Sequence, residues 1–136
     1  MSDRSQMERT LREAYAARQR GDVDAILRLF TPDARFVMAG SAEISPVAMR
    51  VEGAEPFRTA LAGMIKTFII EDHQVVTILV EGDRAVVHWR ATFRSSVTGD
   101  RLKSDLCDLV EFRDGRIASF LEFCDTAAAA RLMGRA

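Results

Sequence analysis

At 136 residues, 48% of them hydrophobic, the chain is long enough for one compact domain with a real core (residues 1–136) and too short for two. A formal net charge of −1 with acid and base interspersed excludes the one-signed footprint of a nucleic-acid or anionic-membrane binder. No apolar run approaches the ~20 residues of a membrane span.

The N-terminus, MSDRSQMERTLREAY, is polar and mixed in charge, unlike a signal peptide. Cys107 and Cys124 fit neither a metal-ligand spacing nor a disulfide framework, so a reducing cytoplasm is the expected location. Met7, Leu11, Ala14 and Tyr15 recur at helical spacing and predict a helix over about 5–20, closed by Gly21. Asp22 then caps a second helix carrying Val23, Ile26, Leu27 and Phe30. Thr31-Pro32-Asp33 reads as a turn into a short strand, Ala34 to Ala39. Residues 40–53 hold Ser, Pro and Gly with little periodicity and read as a loop, with room for a short strand from Val47 to Val51. A third helix is expected from Ala54 to Phe68, with Phe57, Leu61, Met64, Ile65 and Phe68 on one side. Strands follow near Glu71–Val80, Ala85–Arg94, Leu102–Phe112 and Arg116–Cys124, separated by Gly-containing turns. The Ala-rich tail after Asp125 reads as a last helical turn or a frayed end. Helices first and a meander of strands after them predict an α+β fold, a curved antiparallel sheet wrapped around helices.

Side chains alternate faces along a strand, which sorts the candidate residues. From Ala85 to Arg94 the odd positions are apolar and face the helices, so His88 and Arg90 fall on the opposite side and His88 reads as a solvated or interface histidine. His73, in an Asp-His-Gln stretch, shares no ligand spacing with it, and no zinc site is expected. From Leu102 to Phe112 the even positions form the inward set: Leu, Ser, Leu, Asp, Val, Phe. Asp108 is therefore a carboxylate among Leu106, Val110 and Phe112. Left ionised and alone there, it would cost several kcal/mol. A raised pKa, a hydrogen-bonding partner or a polar pocket relieves that cost, and a pocket would make Asp108 part of a site. Its bland alternative is a structural carboxylate bonded to Tyr15 or to a backbone amide.

The last hairpin decides what Asp108 faces. A two-residue Asp114-Gly115 turn pairs Phe112 with Ile117, points Ser119 and Leu121 inward and turns Glu122 outward. A three-residue loop with Gly115 in a bulge pairs Phe112 with Arg116, turns Phe120 and Glu122 inward, and makes Glu122 a diagonal neighbour of Asp108. The alternation leaves both registers open. Leu109, Leu121 and Phe123 land outward, which predicts a homodimer through that face.

The segments YAARQRGDVDAILRLFTPDARF (15–36) and DLVEFRDGRI (108–117), followed by FLEFCD, are similar to the nuclear-transport-factor-2-like superfamily, in its SnoaL-like and ketosteroid-isomerase-like branch. The resemblance covers essentially the whole chain. It implies a cone-shaped barrel, the curved antiparallel sheet wrapped around three N-terminal-half helices, with an internal apolar pocket; relatives are often dimers through the outer sheet face. Asp108 matches the aspartic acid that in ketosteroid isomerase stays protonated and donates to a developing enolate oxygen. That enzyme's general-base aspartate falls at Met38, and its tyrosine falls at Ala14, one position from Tyr15. Compared with limonene epoxide hydrolase, the arginine and one aspartate fall at Trp89 and Ala91, and the other aspartate at Glu122.

The resemblance and the face assignments together predict a pocket lined by Tyr15, Phe36, Met38, Met64, Phe68, Trp89, Phe93 and Phe120, with Asp108 and Glu122 as catalytic groups. The expected activity is acid/base chemistry, of isomerase, cyclase or dehydratase type, on a small hydrophobic carbonyl or polyketide/terpenoid-like molecule, requiring no cofactor or metal. A non-catalytic carrier of an apolar ligand, and an interaction module with a vestigial pocket, are the alternatives.

Overall fold

A computed structural model describes residues 3–135. Helix α1 (Arg4–Arg20) begins at Asp3, whose side chain accepts from the Ser5 amide, and ends at Gly21, which takes the left-handed conformation (φ 72°) that closes a helix. The Asp22 carboxylate accepts from the Ala25 amide and starts α2 (Val23–Arg28). Strand β1 (Phe30–Met38) follows directly. Strand β2 (Met49–Glu52), helix α3 (Ala54–Thr67), the long strands β3 (Phe68–Glu81), β4 (Arg84–Ser95) and β5 (Arg101–Arg113), strand β6 (Arg116–Phe123) and helix α4 (Thr126–Leu132) complete the order.

The six strands form one curved, unclosed sheet in the order β2-β1-β6-β5-β4-β3. Every neighbouring pair is antiparallel except β1 and β6, which run parallel. Alternation holds on the central strands: Ala85, Val87, Trp89 and Ala91 of β4 are buried, as are Leu106, Asp108, Val110 and Phe112 of β5. These side chains meet Met7, Leu11, Ala14 and Tyr15 of α1 and Phe57 and Leu61 of α3 in one core. The α+β class with a curved sheet wrapped around helices is the observed architecture.

Several boundaries differ from the sequence reading, among them the short strand expected from Val47 to Val51, which runs from Met49 to Glu52. Phe30 opens β1 instead of closing α2, because α2 stops at Leu29 and the Leu29 carbonyl accepts from the Ile117 amide (2.9 Å). The Thr31-Pro32-Asp33 segment lies within β1, where a register shift between Phe30 and Arg35 accommodates a proline that has no N–H to give the ladder. Helix α3 ends one residue earlier than expected, and β3 starts at Phe68. The tail after Asp125 forms α4, capped by the Asp125 carboxylate on the Ala128 amide.

Candidate active site

The β5–β6 hairpin combines features of the two expected registers. Arg113 pairs with Arg116 across a two-residue turn, and Asp114 and Gly115 both take positive φ (52° and 80°), the geometry of a type I′ turn. Phe112 therefore pairs with Ile117, as in the tight turn. The next pair is Glu111 with Ser119, so Ala118 has no partner and forms a bulge. That extra residue resets the alternation, which is why Ile117 and Phe120 are both buried. It also places Glu122 directly opposite Asp108, closer than the expected diagonal relation.

Asp108 is fully buried. Its Oδ2 accepts two hydrogen bonds, from the Tyr15 hydroxyl (2.6 Å) and from the Trp89 indole Nε1 (2.7 Å). Oδ1 is buried and meets no N–H or O–H donor. The remaining neighbour is the Glu122 carboxyl, and two carboxyl groups hydrogen-bond only when one is protonated. Burial, then the charge of Glu122 and the hydrogen bond to it, hold the Asp108 pKa well above the ordinary carboxylate range, against the opposing donations from Tyr15 and Trp89. Glu122 is also raised by burial, with the Asp108 hydrogen bond and the nearby Arg18 cation pulling it back. We assign the shared proton to Asp108, which leaves Glu122 as the anionic partner. The Tyr15 hydroxyl, pushed up by burial and by Asp108, stays protonated and donates.

An apolar cavity of about 110 Å³ opens beside this pair. It is comparable to the ~150 Å³ apolar cavity known to accept benzene, so it admits a molecule about one ring in size. Of the residues expected to line a pocket, Tyr15, Met38, Met64, Phe68, Trp89, Phe93 and Glu122 border it. Asp108 lies behind that wall. Phe36 and Phe120 do not border the cavity either: they stack on each other (5.8 Å between ring centroids), and Phe36 also stacks on Phe57, filling the core between β1, β6 and α3. Val47 of the 40–48 loop and Ala128, Ala129 and Leu132 of α4 close other sides.

Arg18 at the cavity wall and the packing of His73 behind it escaped the sequence reading. Arg18 borders the cavity one helical step (i, i+3) beyond Tyr15, a spacing that shares a helix face and was available as a signal. Its Nη2 donates to the Phe68 carbonyl (2.8 Å) and more loosely to that of Met64 (3.4 Å). Burial lowers its pKa to about 10, which leaves it charged at neutral pH. His73 stacks on Trp89 (ring centroids 4.7 Å apart) and lies 4.9 Å from the Tyr15 ring, so it packs against both donors to Asp108. Its Nε2 is buried without a partner, and burial lowers its pKa, so the ring is neutral. The inward turn of His73 follows from a bulge at Asp72 (φ 51°), which no periodicity announces. His88 lies on the outer face, 2.7 Å from Asp105, which also receives Arg90. Among the described residues, no group of three or more His, Cys, Asp or Glu is arranged to hold a metal ion.

The family model of the SnoaL-like domain matches residues 11–120. No curated protein matches the sequence. Among solved structures, a Bacillus subtilis protein proposed to be an isomerase superposes with a TM-score of 0.89 at 20% identity, over 100% of this chain and 98% of that one. A nuclear-transport-factor-2-like protein from Burkholderia xenovorans gives 0.77 at 22% identity, over 98% of each chain. A protein of ketosteroid-isomerase-like fold from Catenulispora acidiphila, in complex with trimethylamine, gives 0.78 at 13% identity over 93% of each chain. At these identities the likeness to solved structures establishes the fold.

Proposed function

Since the chain belongs to the SnoaL-like domain family, within the nuclear-transport-factor-2-like superfamily, we propose that it is an acid/base enzyme, independent of any cofactor, for a small hydrophobic carbonyl compound. The observation that carries this reading is the Asp108–Glu122 pair: two facing carboxyl groups, one sealed in the core and the other at the wall of an apolar cavity. Glu122 acts as general base. It takes a proton from the carbon next to the carbonyl of a bound substrate, giving an enolate, and returns that proton at the same or a conjugated carbon. A carboxylate whose pKa burial has raised matches such a proton better than an exposed one does. Asp108 keeps its own proton throughout and donates it to Glu122, which holds the base in place and moderates its charge. Since Asp108 does not border the cavity, it acts through Glu122 and does not touch substrate. The cavity size favours a substrate of about one ring over a fused polycycle.

The test uses a β,γ-unsaturated cyclohexenone in deuterated water, with α-deuterium exchange and conjugation followed by NMR. The wild type accelerates both, and Glu122→Gln lowers the rate ~100-fold or more, the scale of a lost general base. Equal rates in the two proteins would remove Glu122 from the chemistry. A second reading, a carrier of an apolar ligand, draws on the double donation to Asp108 Oδ2, which is also how a purely structural carboxylate is satisfied. Ring-sized ligands that bind the wild type with no acceleration of exchange favour that reading.

The same proposal takes the protein as a cytoplasmic homodimer. Free Cys107 and Cys124 accord with a reducing compartment. Leu79, Val86, Leu109 and Phe123, exposed on the outer sheet face, supply the apolar surface for the pairing.

A further inference from the structure

The cavity wall holds three formally charged side chains: Glu122, Asp125 and Arg18. Two have their partners in the protein. Glu122 is paired with Asp108, and the Asp125 carboxylate caps α4 by accepting from the Ala128 amide at 3.0 Å. Arg18 differs. Both of its hydrogen bonds leave from a single nitrogen, Nη2, toward the Phe68 and Met64 carbonyls at the end of α3. No carboxylate oxygen of the described residues comes within 4.0 Å of its nitrogens. The tie to α3 fixes where the side chain runs. It leaves Nε and Nη1 with donors to spare beside an apolar space bounded by Phe68, Trp89 and Phe93.

A guanidinium in such a place feels the charge of Glu122 nearby but has no carboxylate in contact. A partly desolvated cation without an anion in contact is unfavourable, and its planar fork of N–H groups matches two carboxylate oxygens at once. We infer that Arg18 receives the carboxylate of the ligand, so that the cavity takes a small organic acid: an acid group on the guanidinium and a ring-sized hydrocarbon part against Trp89 and Phe93. The inference rests on reading the cavity as a small-molecule site. It narrows the proposed substrate to a carbonyl compound that also carries a carboxylate. The two charges on the wall then divide the work, Arg18 orienting the ligand and Glu122 moving its proton.

The experiment is calorimetric titration of the full chain with benzoate and with benzamide, which share size and shape and differ in charge. In the wild type, benzoate binds about tenfold more tightly or better, the ratio expected for one well-placed charge-assisted contact. Arg18→Met brings the two ligands to within about threefold of each other, and Arg18→Lys, which keeps the cation and loses the fork, falls between. Undetectable benzoate binding or an equal affinity for benzamide in the wild type overturns the inference, and that comparison needs no variant to fold. A benzoate preference that survives Arg18→Met overturns it as well. Binding of these probes involves no turnover. A failure here, with Glu122→Gln still abolishing exchange, removes the carboxylate preference and leaves the acid/base reading standing; the reverse result does the opposite.

Discussion

Asp108 in the folded protein keeps a proton that it would release in the unfolded chain near the ordinary carboxyl value of 3.8. Its folded pKa is raised, so above about pH 4 the folded state binds more protons than the unfolded one. Stability contributed by that proton is therefore lost as pH rises, through the folded pKa, and levels off beyond it. Asp108→Asn isolates the effect. The amide oxygen can accept from Tyr15 and Trp89 as Oδ2 does, and the amide nitrogen can donate toward Glu122, so the variant imitates the protonated acid at every pH. Urea unfolding between pH 5 and 9 should show the wild type losing stability relative to Asp108→Asn, with a gap that widens with pH. Parallel curves would place the proton elsewhere. The alternation of β5 was enough to show from sequence that Asp108 was an anomaly, because its neighbours Leu106 and Val110 define the face so clearly. The identity of its donors was not legible. Tyr15 lies 93 positions away along the chain, and only the packing of α1 onto the sheet brings it within hydrogen-bonding distance.

Among the elements, what the sequence revealed depended on whether a strand kept its period. Strands β4 and β5 are regular, and their inward sets were readable residue by residue. Strands β3 and β6 each carry bulges. One unpaired residue reverses every later assignment, so His73 and Glu122 could not be placed by counting. The closing element α4 was the least legible, since its Ala-rich sequence has no strong apolar stripe and a distant buried side chain helps to hold it in place. Ser95, 1% exposed, donates from Oγ to the Leu132 carbonyl and accepts from the amides of Val97 (3.0 Å) and Thr98 (3.1 Å). It ties the β4–β5 turn to the end of a helix that forms one wall of the cavity. Ser95→Ala removes all three contacts and should lower stability by ~1–3 kcal/mol, the range for buried groups left unsatisfied. More specifically, amide exchange in residues 129–135, followed by mass spectrometry, should accelerate while exchange in β5 is little changed. An unaltered rate in 129–135 would show that α4 is held by its apolar packing alone.

Across the whole molecule, the sheet separates two chemistries. Its inner face is committed to the core and the cavity, which leaves the outer face as the surface for the proposed pairing. There Leu79 (61% exposed), Leu109 (41%) and Phe123 (46%) stand out among charged neighbours. The outer pairing places Leu109 opposite both Val86 and Leu121, so the apolar surface is continuous across three strands. A near-zero net charge of −1 offers little long-range repulsion between copies. The dimer proposed above should therefore respond to charge introduced at the centre of this patch. Leu109→Lys sits opposite the existing apolar pairs, and across a two-fold axis it would bring like charges close together. Sedimentation velocity at micromolar concentration should show the wild type as a dimer and Leu109→Lys shifted toward monomer. The cavity lies on the other side of the same strand, at Leu102, Ser104 and Leu106, where side chains point away from position 109. Ligand affinity per chain should then survive the loss of the dimer. If Leu109→Lys leaves the sedimentation coefficient unchanged, the outer face is not the interface, and the exposed leucines and phenylalanine need another occupant.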